Sequence, residues 1–253
     1  MNKFATGLNV TLDQYHEQVF ANDWSRTDQS VGAFFEYTYD NDENFSIILG
    51  GRIDNHNRLG TFVTPRLHLR YNPWEKAVIR FSVGRGKRAA NIFAENQSLF
   101  ASSRAFSILD TNGKVYGLNP EIAWNFGGSF TQAFTLLGKN ADVTLDWYRT
   151  DFQNQVVVDV MQSPQQVLFY NLNGNSFANS FQIEFNYEVV KNLRLRSAYK
   201  RYEVQTDYLS GTFQKPIQAK NRFFGNLEYE TTSFGSSKQW KFDFTYNWIG
   251  EQQ

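Results

Sequence analysis

Three features of this sequence predict an all-β fold, an antiparallel up-and-down β-barrel whose strands cross a membrane. Apolar and polar side chains alternate along eleven segments, the connections alternate short and long, and aromatic residues are abundant in a chain of negative mean hydropathy. The stretch WKFDFTYNW, Trp240 to Trp248, shows the alternation most plainly. An aromatic side chain stands at every second position, and Lys241, Asp243, Thr245 and Asn247 fall between the rings. A period of two sends successive side chains to opposite faces of a pleated strand.

The same pattern recurs at segments centred near residues 8, 35, 49, 67, 81, 125, 146, 184, 197, 226 and 244. Phe45, Ile47, Leu49 and Ile53 oppose Ser46, Arg52 and Asp54. Val63, Leu67, Leu69 and Tyr71 oppose Arg66, His68 and Arg70. In the second half Phe181, Ile183, Phe185 and Tyr187 alternate with Gln182, Glu184, Asn186 and Glu188, and Leu193, Leu195 and Tyr199 with Arg194, Arg196 and Lys200. Phe223, Leu227 and Tyr229 alternate with Arg222, Asn226, Glu228 and Glu230. Each segment is about as long as the 9 to 11 residues a tilted strand needs to cross a bilayer core.

DNDEN, NPWEK, LGKNA, VVKN and SFGSSK are short turns. Between them stand EQVFANDWSRTDQ, NHNRLG, the stretch from Arg85 to Tyr116, the stretch from Gln153 to Phe177, and EVQTDYLSGTFQKPIQAK. One rim therefore carries tight turns and the other elaborated loops, the asymmetry of barrels with short periplasmic turns and long extracellular loops. Loops containing Asn91, Gln165 and Leu209 are expected outside the cell, and turns at Asp42, Lys139 and Ser236 in the periplasm. Trp74, Trp240 and Trp248, at strand ends, suit the aromatic girdles of the interfaces. Eleven is an odd count, so the first strand, near Lys3 to Asp13, and the last, near Trp240 to Ile249, are expected to be unpaired edges.

The 25 basic and 25 acidic side chains cancel, which gives no electrostatic case for nucleic acid. With no cysteine, the chain offers neither disulfides, a thiol nucleophile nor a zinc cluster. No apolar run reaches the roughly 18 residues of a membrane helix. The 24 Phe, 13 Tyr and 6 Trp instead need a greasy environment on one strand face only, which lipid supplies to a barrel. A soluble β-sandwich with the aromatic face as its core shares the alternation and stands as an alternative, though sandwich strands average about 5 to 6 residues. No metal site, cofactor or catalytic residue is expected: G-x-S-x-G, H-E-x-x-H and P-loop motifs are missing, His16, His56 and His68 are scattered, and GRGKR (Gly84 to Arg88) follows a strand without opening a helix.

The block GGRIDNHNRLGTFVTPRLHLRYNP (Gly50 to Pro73), then VIRFSVGRGKRAANIFAENQ and LNPEIAWNFGGSF, resembles the barrel of TonB-dependent outer-membrane receptors of the type common in Bacteroidetes-like bacteria. ADVTLDWYRTDFQNQVV and FYNLNGNSFANSFQIEFNYE extend the resemblance over nearly the whole chain. It implies a bacterial outer-membrane location and a barrel of about 22 strands around an N-terminal plug. It also implies uptake of a scarce small molecule or oligosaccharide, such as an iron-siderophore or corrinoid, driven through TonB. The chain carries no recognisable signal peptide, TonB box or plug, and it ends at GEQQ. The expectation is a partial barrel, an internal piece with Met1 an internal or artificial start, partnered by lipid, by its own plug and remaining strands, and by TonB through an N-terminal region. A passive porin-like channel is the other membrane reading.

Ligand contacts are expected on the long loops: Trp24 and Arg26 in the first, Arg88, Asn91, Glu95 and Arg104 in the longest, and Tyr170 and Tyr208 in later ones. Arg66, Arg70, Arg194 and Arg196 face inward and suit either an anionic ligand in the lumen or salt bridges to a plug.

Overall fold

In the computed structural model, which describes residues 1–232 and 238–252, all eleven expected segments are strands of one antiparallel sheet, in chain order. They are β1 (Asn2–Tyr15), β2 (Arg26–Asp40), β3 (Phe45–His56), β4 (Gly60–Tyr71), β5 (Ala77–Arg88) and β6 (Glu121–Leu136). The wall continues with β7 (Lys139–Asn154), β8 (Ser176–Val190), β9 (Leu193–Tyr208), β10 (Asn221–Glu230) and β11 (Lys241–Ile249). β1 and β11 end the path and do not pair with each other, so the wall is open.

Matched registers carry the alternation across the whole sheet, because paired residues on antiparallel strands share a face. Tyr39, Ile47, Leu69 and Phe81 form one row across β2 to β5. Leu145, Ile183, Tyr199, Phe223 and Trp248 form another across β7 to β11. This outward face is bare: Leu8 is 84% exposed and Phe244 69%. Among the described residues no second sheet packs over it, which overturns the sandwich alternative. Near the short turns the outward side chains are aromatic, with Trp74 against Phe130 and Tyr229 stacked on Phe242, as an interfacial girdle requires.

The inner face is polar and internally compensated. Arg66 pairs with Glu36, Arg196 with Glu184 at 3.0 Å, and Arg194 lies 3.9 Å from Glu230. Arg70 stands opposite Arg80 and has no carboxylate within ion-pair distance among the described residues. His68 lies between Arg66 and Arg70 in the same inward set, opposite Ser82. Small residues on this face give larger ones room: Phe34 lies across Gly7, where an added Cβ would come within 2.5 Å of the ring.

The tight rim follows from turn chemistry. Leu137 (φ 50°) and Gly138 (φ 78°) form a two-residue hairpin with both residues in the left-handed region, the twist that suits antiparallel strands. Asn41 caps the first turn with its side-chain oxygen, which accepts the backbone N–H groups of Glu43, Asn44 and Phe45 at 3.1, 3.0 and 2.8 Å. Ser236, in the SFGSSK turn, lies outside the described residues.

Three expectations need correction. Strand length reaches 16 residues in β6, β7 and β9 rather than about ten. At roughly 3.3 Å per residue and a tilt of about 40°, such a strand climbs about 40 Å, well beyond an apolar band of about 25 Å. The surplus stands above the lipid as a rim. The long connections are also not simple loops: they contain strands Ala105–Ile108, Val156–Asp159 and Gln166–Asn171, which form their own three-stranded sheet, and a 3₁₀ segment at Ala94–Ala101. GRGKR, expected to follow a strand, is the last part of β5 itself.

Candidate functional site

The long loops fold into a cap with a core of its own. Ile92, Val167 and Phe169 are essentially inaccessible, and Phe93, Val115, Tyr116, Leu118 and Val156 close around them. Strand Ala105–Ile108 runs parallel to Gln166–Asn171, so two loops remote in sequence share one sheet. Rings of Phe93, Phe106 and Phe169 meet at centroid separations of 5.9 to 6.2 Å. Non-local pairing of this kind fixes loop geometry in advance of any ligand and lowers the ordering cost of binding.

Arg26 ties the cap to the wall. At the start of β2 its guanidinium is buried, donates to Asp28 at 3.2 Å, to the Tyr116 hydroxyl at 2.9 Å and to Asn91, and stacks over the Tyr15 ring at 4.0 Å. Tyr116 in turn donates to Glu17, and Arg58 approaches the other Asp28 oxygen at 2.9 Å. Burial, reinforced by Glu17, pushes the Tyr116 phenol well above its ordinary range. A second tie uses Arg88, which forks onto Glu95 with two bonds of 2.9 Å and donates to Glu121 at 2.8 Å. A third is Tyr170, which donates to the fully buried Asp159 at 2.9 Å and accepts the Leu209 N–H at 3.1 Å. Burial and Asp159 raise this phenol as well.

Each residue singled out in the sequence is thereby located. Trp24 packs on Tyr116 and Phe93 beneath the first loop. Arg26, Asn91, Arg88 and Glu95 are the ties just described, and Arg104 donates to the Val160 carbonyl at 3.1 Å within the cap. Arg26 and Arg88 sit on wall strands rather than in loops, Tyr170 lies in the cap sheet, and Tyr208 ends β9, packed beside Tyr170. The eight are therefore drawn together mainly by cap architecture. Arg66, Arg70, Arg194 and Arg196 line the inner wall lower down.

Between the cap and the inner wall lies a chamber of about 640 Å³, within the range of small-molecule sites. Its roof is the valine run Val156, Val157 and Val158, and its wall includes Phe152, Tyr202 and Tyr208. Lys215 and Arg222 stand at its margin. Of these, only Tyr208 is among the residues expected from the sequence. The phase of alternation places Tyr202 and Arg222 inward, and following that phase up to the strand ends would have found them.

A family model described as "TonB dependent receptor-like, beta-barrel" matches residues 3–253. The chain belongs to the TonB-dependent receptor family. Proteins of this family reside in the bacterial outer membrane, so the apolar outward face of this receptor barrel is its lipid surface. Solved structures share its fold. The siderophore receptor PirA from Acinetobacter baumannii superposes with a TM-score of 0.67 at 14% identity, over 99% of this chain and 40% of that one. The ferric enterobactin receptor PfeA from Pseudomonas aeruginosa, in complex with BCV-L6, gives 0.64 at 14% identity, over 90% and 34%. The FpvAI–pyocin S2 complex gives 0.61 at 11% identity, over 97% and 38%. The TonB-dependent receptor barrel described here thus spans well under half the length of these structures. No curated protein matches the chain.

Proposed function

We propose that this chain forms part of the wall and the cap of an outer-membrane receptor that imports a scarce ligand with energy passed through TonB. The observation that carries the reading is the folded cap, with its own buried core, roofing a chamber on the inner wall. A pore for bulk solutes gains nothing from a chamber roofed in this way, whereas capture of a dilute ligand depends on preorganised walls. The open edges at β1 and β11 support completion of the barrel by further strands, up to the 22 of plugged transporters, around a plug that meets the inner-wall arginines. Ligand accumulation by cells expressing the complete receptor tests the proposal. Uptake is expected to require TonB and to stop when the membrane is de-energised. Diffusive uptake that survives loss of TonB would favour the passive channel instead.

A further inference from the structure

The wall carries a seam. Pairing of β4 with β5 stops at Arg66 and Gly84, although β4 continues outward to Gly60 and β5 to Arg88. Both strands stay paired on their other sides, β4 with β3 as far as Gly60 and β5 with β6 as far as Arg88. Pro65 accounts for the break, because proline has no N–H to give a ladder. Its register with β3 runs on unbroken, so the missing donor falls on the β5 side. Two side chains of β5 span the gap instead: Arg85 donates from Nη1 to the Val63 carbonyl at 3.2 Å, and Lys87 from Nζ to the Leu59 carbonyl at 2.7 Å. We infer that the wall parts along this seam, with the ladder between Arg66–Tyr71 and Ile79–Gly84 as the hinge and Arg85 and Lys87 as latches, so that β1 to β4 move as one block against β5 to β11.

Three observations support a moving seam rather than a fixed irregularity. The latches are long side chains with many rotamers, so they can release and re-form where a backbone ladder would have to unzip. They stand eight and ten residues along β5 from Ala77, which is about 20 to 25 Å up a strand tilted by about 40° and therefore at the outer border of an apolar band about 25 Å tall. Water there can take the place of a released donor, whereas deeper in hydrocarbon an open strand edge is costly. Secondly, there is room to move. A cavity of about 460 Å³ lies behind the seam, lined in part by Arg66, His68, Gly84 and Gly86, and a Cβ added at Gly86 would meet nothing within 4 Å. Thirdly, the cap bridges the two blocks. Its strands Ala105–Ile108, Val156–Asp159 and Gln166–Asn171 lie in the connections that follow β5 and β7, and so ride on the second block. It is fastened to the first by Arg26, which donates to Tyr116 at 2.9 Å, by Arg58, which donates to the Lys114 carbonyl at 3.2 Å, and by Trp24 packed on Tyr116. These ties cross the seam above the latches, so parting the wall and freeing the cap from the first block are one motion.

Distances between spin labels on the complete receptor in lipid vesicles test this. This chain has no cysteine of its own, so labels enter it at chosen sites only. The pair Val31→Cys, Glu203→Cys reads across the seam, and the pair Val83→Cys, Glu203→Cys reads within the second block. The distance distribution across the seam is expected to be about twofold broader than the one within the block. Adding Arg85→Gln and Lys87→Gln should broaden it further and shift it to longer distance while leaving the pair within the block unchanged. Pro65→Val, which restores the missing donor, should narrow it to the width of that second pair. Equal widths for the two pairs before any further change would overturn the inference, as would a distribution across the seam that answers to neither variant. Equal broadening of both pairs in the Arg85, Lys87 variant would also overturn it, by assigning the two cations to stability of the wall as a whole. None of these outcomes bears on TonB-dependent uptake, so the receptor reading is judged separately.

Discussion

Placing an arginine at Ile183 separates the two faces of the wall energetically. Ile183 is central in β8, which runs Ser176–Val190, and its register neighbours are Leu145 and Tyr199 on the outward face. Outward residues from Phe181 to Tyr187 are apolar, so the site lies near the middle of the lipid band. A charge there costs about 2 to 4 kcal/mol at the midplane of a membrane barrel. Its sequence neighbour Gln182 points the opposite way, between Asp146 and Lys200. An arginine at 182 meets the Asp146 carboxylate on one side and the Lys200 ammonium on the other in a wet interior, opposing interactions that leave stability changed by about 0 to 1 kcal/mol. The pair Ile183→Arg and Gln182→Arg therefore differs by roughly 2 kcal/mol or more. Urea titrations of the complete receptor folded into lipid vesicles measure both. Equal costs, or a larger cost at Gln182, would refute the assignment of faces.

Arg26→Met removes the central cation of the cap tie and leaves the buried Asp28 to Arg58 alone, so the cap should lose about 1.5 to 3 kcal/mol of local stability and become sensitive to limited proteolysis while the wall stays folded. Alkali should loosen the cap in the same way. Tyr116 and Tyr170 have phenols raised above their ordinary value, so the stability they contribute is complete below about pH 10 and is lost as pH rises through the folded values. Hydrogen exchange in Gln166–Asn171 followed from about pH 8 upward, at matched intrinsic rates, checks this; protection that declines well below about pH 10 would contradict it. Cysteines introduced singly at Gln97, Gln165 and Leu209 should react with an impermeant thiol reagent on whole cells, and those at Asp42 and Lys139 should not. The reverse pattern would invert the topology.

The wall was legible because each of its strands answers to two solvents at once. Lipid demands Phe181, Ile183 and Phe185, the lumen accepts Gln182 and Glu184, and a period of two survives with no helix to blur it. Turn residues such as Asn41 and Leu137–Gly138 then fix where each strand reverses. The cap strands obey different physics. Val156–Asp159 and Gln166–Asn171 are buried on both faces, so VVVD and QVLFYN show no alternation to read. The partner of Gln166–Asn171 across the parallel pair is Ala105–Ile108, far earlier in the chain, and no local spacing marks that meeting.

That difference explains why charge and aromaticity single out residues that the cap also uses to hold itself together. Arg26, Arg88 and Tyr170 have the side chains that bind ligands, but the same side chains are what a loop cap needs to bury its polar ends. Arg26 is surrounded by Asp28, Glu17, Tyr116 and Asn91, and Arg88 by Glu95 and Glu121. A guanidinium already holding carboxylates must break those bonds before it can hold a ligand, at a cost comparable to what the ligand returns. Lys215 and Arg222 have no carboxylate within ion-pair distance among the described residues. The useful distinction on this rim is therefore between cations with a carboxylate and cations without one, and only the folded cap, by bringing Glu95 to Arg88 and Glu17 toward Arg26, makes that distinction visible.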